Sequence, residues 1–362
     1  MKKHIFVHLL NDFSGSPKVL SQVITTVQKN DFELALYTGK SKDGFLSGLT
    51  DKHHHYFYKR SENKWMTLIT FISSQIILFF KLLKYSNKDV LIYVNTMLPF
   101  GAGLAGLIMR KPVVYHIHET YLTPPLLKRF LRLIISWSAK KVIFVSNAVN
   151  KLESFKNKEQ HIIYNSLPQN FTDAVNQDGY DLQNKGGFNV LMISSLKTYK
   201  GINEFVSLAN SLKTNSKITF TLVLNASKEE TENYFNKSTL PANIELVTKQ
   251  ENVTQYYQKS SLVLNLSKVD ECVETFGLTI LEAMAFGIPV IVPPVGGPAE
   301  IVTDGVEGYL MASYDIESIA EKIKALSLDK ALWSQLSKNA ITRSKYFNEV
   351  TFEKNILKVL HD

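Results

Sequence analysis

Twice along this 362-residue chain, short apolar runs alternate with longer stretches of helical periodicity, and one polar break separates the two series. In the first series the apolar runs fall at 4–10, 33–37, 90–94, 113–117 and 141–145, with 162–164 leading out. Helical patterns fill the gaps, for example at 18–29 and 126–140. The second series restarts at 189–193 and continues through 219–223, 244–247, 262–266 and 289–292. Amphipathic stretches follow at 317–324, 330–345 and 351–361. A strand followed by a helix and another strand requires a crossover, so this pattern predicts parallel sheets with helices on both faces. The break at 165–187 is rich in Asn, Gln, Asp and Gly and includes Pro168, the composition of a linker. The expected architecture is α/β, with two doubly wound Rossmann-like domains facing a cleft and ligands at the carboxyl ends of the strands. The first domain is expected to cover 1–165, the linker 166–187 and the second domain 188–344.

Charge divides along the same boundary. Residues 1–165 hold 23 Lys and Arg against 10 Asp and Glu, a balance of +13. Residues 166–362 hold 18 against 23, a balance of −5, which together gives the net +8. A basic first half is expected to meet something anionic, either a membrane surface or a phosphate-bearing acceptor. Nucleic acid is not expected, because neither zinc-ligand spacing nor an RNA-binding sheet motif is present. The single cysteine, Cys272, excludes an intramolecular disulfide and suits a reducing compartment. It has no His–acid partner in the sequence and reads as a bystander rather than a nucleophile. The first apolar run is cut short by Asn11 and Asp12, so it reads as a strand of a cytoplasmic chain rather than a signal core. The stretch 65–83 is strongly apolar, interrupted by Thr67, Thr70, Ser73, Ser74 and Gln75 and flanked by Lys59, Arg60, Lys64, Lys81 and Lys84. The first reading is a helix buried against the sheet, the second a helix resting on a bilayer, and the last a true span.

The chemistry concentrates in the second half. Glu274 and Glu282 stand eight residues apart in Glu274-Thr-Phe-Gly-Leu-Thr-Ile-Leu-Glu282. A helix is expected to start near Phe276 and Gly277 and to stop at Gly287, with Pro289 beyond. The two carboxylates then flank the free N–H groups of a helix start, where phosphate binds well. Carboxylates accept hydrogen bonds from paired hydroxyls, so the arrangement suits a phosphate with a polyol on each side. Acids near a helix N-terminus are also common for electrostatic reasons alone, so the context of the pair matters. That context is a strand at 289–292, then Gly296-Gly297-Pro298-Ala299-Glu300, then Asp304-Gly305-Val306-Glu307-Gly308. The whole stretch 267–310 resembles the donor-binding half of the retaining GT-B glycosyltransferases with the E-x7-E signature, the large group 1 type.

That resemblance implies a GT-B fold, with the terminal segment 345–362 crossing back to the first domain. It implies transfer of a sugar from a nucleotide-diphosphate sugar to a hydroxyl of a glycan or lipid-linked acceptor, with retention at the anomeric carbon. No metal and no cofactor beyond the donor substrate are expected. Glu274 would hold a hydroxyl of the donor sugar and Glu282 the ribose hydroxyls. Backbone amides of Phe276, Gly277, Leu278 and Thr279 would meet sugar and phosphate, and the base would stack near 247–249. Leu196, Lys200 and Gly201 fit the family's phosphate-gripping pattern, which makes Lys200 the pyrophosphate contact. Ser195 stands where that pattern has an arginine, and a hydroxyl cannot supply a guanidinium fork; Lys197 is the candidate substitute. In the first half, His118 closes the 113–117 run and matches a histidine that meets the donor sugar, with His116 as its structural neighbour. Gly15, ahead of Ser16 (read as an N-cap) and Pro17, is all that remains of a Gly pair in the family's first loop. Catalytic roles are expected for His118, Lys200 and Glu274. The remaining alternatives are a GT-B epimerase or phosphorylase, a non-catalytic sugar-nucleotide-binding partner, and a membrane-surface scaffold. Bacterial cell-surface polysaccharide or glycolipid synthesis, at the inner face of the cell membrane, is the expected setting.

Overall fold

The computed structural model describes residues 3–30, 32–40, 43–176, 187–235, 240–250 and 252–361. Two compact units are resolved, Met1–Asn165 with Val350–Asp362, and Ser166–Glu349. The first is built on seven strands: β1 (Lys3–His8), β2 (Leu34–Gly39), β3 (His53–Tyr56), β4 (Val90–Asn95), β5 (Val113–Ile117), β6 (Lys141–Phe144) and β7 (Glu159–Ile162). They lie in the order β3-β2-β1-β4-β5-β6-β7, and every pairing is parallel. The central strands are buried on both faces, which is why they read as continuous apolar runs. The helix Glu349–His361 packs almost wholly in this unit: Lys29 pairs with Glu353 at 2.6 Å, and Lys141 Nζ donates to the Val359 carbonyl at 3.1 Å.

The second unit holds β8 (Phe188–Ser195), β9 (Ile218–Asn225), β10 (Ile244–Thr248), β11 (Leu262–Leu264), β12 (Val290–Val292) and β13 (Gly308–Leu310). Their order is β10-β9-β8-β11-β12-β13, again all parallel. Reversal of strand order beside β1 and beside β8 places a topological switch point at the carboxyl end of each sheet. His118 follows β5, and Ser195 ends β8 next to the three-residue 3-10 turn Thr198–Lys200.

Four expectations are corrected. The strands β3 and β13 were not foreseen, and β7 ends where the run 162–164 begins. The first helix, Gly15–Gln28, is capped at Ser14 rather than Ser16, because the Asp12 carboxylate accepts from the Ser14 amide and turns the chain two residues earlier. Part of the expected linker is the helix Gln169–Asn176, while 177–186 lie outside the described residues. The helix Lys64–Leu83 is not buried against the sheet over most of its surface; only 28% of its apolar window is enclosed.

Candidate active site

In the second unit, the helix Leu278–Ala285 starts at Gly277, whose φ of 101° and ψ of 64° put it in left-handed backbone that glycine alone adopts without strain. With no side chain to cap it, this helix start leaves the Leu278 and Thr279 amides without an intrahelical acceptor. The turn at Gly296 and Gly297 presses directly on the segment before it. Gly297 N–H donates to the Glu274 carbonyl at 2.9 Å, and a Cβ at Gly297 would lie 2.4 Å from Phe276 Cα. The downstream glycine pair thereby fixes the path of 274–276.

The Glu274 side chain meets Lys200, with Nζ 2.5 Å from Oε2, and the side chains are 15% and 24% exposed. Ser267 Oγ donates to the same oxygen at 3.3 Å. Burial alone would raise the Glu274 carboxyl, but Lys200, helped by hydrogen bonds from Ser267 and Asn265, holds the group below the usual carboxylate range. Burial would lower the Lys200 ammonium, but Glu274 outweighs it and raises the group. The pair is therefore fully ionic at neutral pH. Glu282, one turn into the helix, is 4% exposed and accepts from Tyr257 Oη at 2.7 Å. Ser195 and Lys197 line an open cleft of about 480 Å³ at the carboxyl ends of β8 and β9, shared with Asn225, Glu230 and Tyr234. Lys197 is exposed there and acts electrostatically on Glu230. Burial pushes the Cys272 thiol up, so it is not an activated nucleophile.

In the first unit, His118 Nε2 lies 2.9 Å from Asn95 Oδ1. Asn95 Nδ2 donates to the Ser16 carbonyl at 3.1 Å, which orients the amide and leaves Oδ1 to accept. His118 is then the Nε2–H tautomer, with a lone pair on Nδ1. The amide links the histidine to the turn that begins at Gly15. Burial, reinforced by His116 and His8, holds His118 well below the ordinary imidazole range, so it is neutral. His116 is fully buried with Nδ1 2.7 Å from Tyr93 Oη, and burial lowers it to about 3. Glu119 accepts from the Met97 and His118 amides, and burial still raises it to about 7. Among the described residues, no group of three or more His, Cys, Asp or Glu could hold a metal ion.

Residues 180–343 match the family model described as Glycosyl transferases group 1. The matched residues all fall within the second unit, Ser166–Glu349. The chain is 40% identical over 91 residues to a sucrose synthase of Melioribacter roseus, a match covering 24% of this chain and 12% of that protein. The chain thus aligns with only a small part of the curated relatives it matches. In fold, it is similar over 100% of both chains to Anabaena HepE, solved in complex with UDP and glucose, with a TM-score of 0.80 and 21% identity. It is also similar to a sucrose-phosphate synthase from Thermosynechococcus elongatus, with a TM-score of 0.74, 18% identity and coverage of 100% and 98%. These structures share its two-domain GT-B α/β fold.

Within that fold, the sequence-derived candidates form two groups. Lys200, Glu274 and the helix start at Gly277, Leu278 and Thr279 come together in the second unit, with Phe276 buried beneath. Lys197, in the same tight turn as Lys200, lines the cleft beside Ser195. His118 and the Gly15 turn come together in the first unit through Asn95. Sequence reasoning missed Asn95, Tyr257 and Ser267. Asn95 carried a usable signal, since it is the one polar residue closing the otherwise apolar β4. Tyr257 carried none, because its partner is 25 residues away on another element.

Proposed function

We propose that this chain is a retaining glycosyltransferase that moves a sugar from a nucleotide-diphosphate sugar to an acceptor hydroxyl. The observation that carries the reading is the ionic Lys200–Glu274 pair beside the uncapped N-terminus of Leu278–Ala285. A cation and free amides suit a pyrophosphate, and a buried carboxylate suits a sugar hydroxyl. Without a donor the two side chains hold each other; with one, Lys200 turns its charge to the phosphates and Glu274 accepts from the sugar. As the glycosidic bond breaks, negative charge grows on the leaving diphosphate, and Lys200 with the Leu278 and Thr279 amides stabilises it. Glu274 acts as a holder of the donor rather than as a nucleophile, so retention follows from departure and attack on the same face of the sugar. Glu282 takes the ribose hydroxyls; in the first unit, the neutral His118 has an Nδ1 lone pair that can accept from a hydroxyl. The resemblance to HepE, whose structure holds UDP and glucose, makes UDP-glucose the first donor to test. The proposed setting is glycan or glycolipid synthesis on the cytoplasmic side of a cell membrane.

The test is a screen of nucleotide sugars by thermal shift, followed by nucleotide release and NMR of the product. At least one donor should stabilise the chain, and the product should keep the donor's anomeric configuration. Glu274→Gln should abolish turnover. An inverted product, or full activity in Glu274→Gln, would overturn the reading.

A further inference from the structure

The helix Lys64–Leu83 is apolar outward as well as inward. Its buried stripe is Phe71, Ser74, Gln75, Leu78 and Leu82, so two of the five inward side chains are polar. Both are satisfied internally. Gln75 Oε1 accepts from the Gly101 amide at 3.2 Å, Gln75 Nε2 donates to Ser74 Oγ at 3.0 Å, and Ser74 Oγ donates to the Phe71 carbonyl at 2.6 Å. The outward stripe is Trp65, Ile69, Ile72, Ile76 and Phe80, one line along the helix, and these side chains are 43% to 75% exposed. A helix that faces water in a soluble domain shows the reverse pattern.

The apolar surface is wider than this helix. Phe100 stacks edge-on against Phe71 at 5.7 Å and against Phe130 at 5.1 Å, tying Lys64–Leu83, Phe100–Met109 and Pro125–Ser138 into one layer. On Pro125–Ser138 a second line, Leu126, Phe130, Leu133 and Trp137, is 42% to 76% exposed. None of the three helices contains an Asp or Glu. Exposed cations rim the layer, among them Lys59, Arg60, Lys64, Lys81 and Arg129.

We propose that this three-helix face rests on the surface of an anionic lipid bilayer. Charge selects the occupant. A second copy of the chain seated on this face would oppose cations to cations, whereas a bilayer takes the apolar lines into its acyl boundary and the cations onto its phosphates. The Lys64–Leu83 helix lies along the membrane rather than across it. Its ends run into β3 and β4 of one parallel sheet, and its inner stripe is bonded to Gly101. The inference is independent of sugar transfer, and its test does not use activity.

Of the three tryptophans, Trp65 and Trp137 lie on this face and Trp333 is buried in the second unit. The full chain should float with vesicles of mixed phosphatidylcholine and phosphatidylglycerol, and its tryptophan emission should move to shorter wavelength. Phosphatidylcholine vesicles should bind it about tenfold more weakly. Ile72→Glu with Phe80→Glu should remove both flotation and the emission shift while leaving the melting temperature unchanged, since both side chains already face outward. Trp65→Phe, a conservative change, should keep flotation and lose part of the shift. Equal binding to neutral and anionic vesicles would overturn the proposal. So would absence of flotation together with self-association that Ile72→Glu and Phe80→Glu abolish.

Discussion

Replacing Lys200 by Met tests the central ion pair directly. Met keeps most of the stem and removes the charge, so Glu274 retains the Ser267 hydrogen bond but loses the cation that opposes its burial. Removing one partner of a buried pair costs about 3–5 kcal/mol. With side chains 24% and 15% exposed, the lower end applies, about 3 kcal/mol. For a domain of this size 1 kcal/mol moves a melting midpoint by about 2–4 °C, so the second unit's transition should fall by about 6–12 °C at neutral pH. The pH dependence should also change sign. In the wild type, the folded carboxyl lies below its unfolded value, so its stabilisation is present above the unfolded pKa and is lost as pH falls through the lowered folded value. In Lys200→Met, only the Ser267 and Asn265 hydrogen bonds still oppose burial, and the folded value should rise above the unfolded one. The deficit is then largest at neutral pH and shrinks on acidification toward the unfolded pKa of about 4.3. Calorimetry across this pH range measures both effects, and adding Glu274→Gln should restore most of the lost stability. A Lys200→Met protein melting within about 2 °C of wild type at neutral pH, or one whose deficit grows on acidification, would refute the reasoning.

Tyr257→Phe leaves the buried Glu282 carboxylate short of a donor now at 2.7 Å, a loss of about 1–3 kcal/mol that should lower the melting temperature and weaken nucleotide affinity in calorimetric titration. Gly277→Ala forces a side chain into left-handed backbone and sets its Cβ 2.5 Å from Ile280 Cδ1; about 1–3 kcal/mol of strain should appear in urea unfolding, with weaker nucleotide binding. Asn95→Ala should slow sugar transfer less than His118→Ala, because the imidazole remains but its tautomer is no longer held; equal effects, measured as kcat, would argue that Asn95 supports the fold rather than orients His118.

How much of this was legible in the chain follows from where burial constrains it. Central parallel strands are enclosed on both faces, so β1, β4, β5, β8 and β9 announce themselves as apolar runs. The misplaced or missed strands, β3, β7 and β13, all lie at sheet edges, where the sequence His53–Tyr56 can pair without an apolar pattern. The site divides in the same way. The Gly277 helix start was readable because its features are local, and Lys200 because it lies in a short family pattern. The Asn95–His118 and Tyr257–Glu282 contacts join residues 23 and 25 apart on different elements, a proximity that only the completed sheet creates. The Lys64–Leu83 helix shows the limit most sharply. Its polar interruptions resemble a solvent face, and a rule that puts apolar residues inside would turn it backward. Gln75 bonded to the Gly101 amide, with Ser74 beside it, sets the inward side, and Ile72, Ile76 and Phe80 are left on the surface. The exposed apolar line is therefore a property of the packed domain, and the bilayer surface proposed above would cover it.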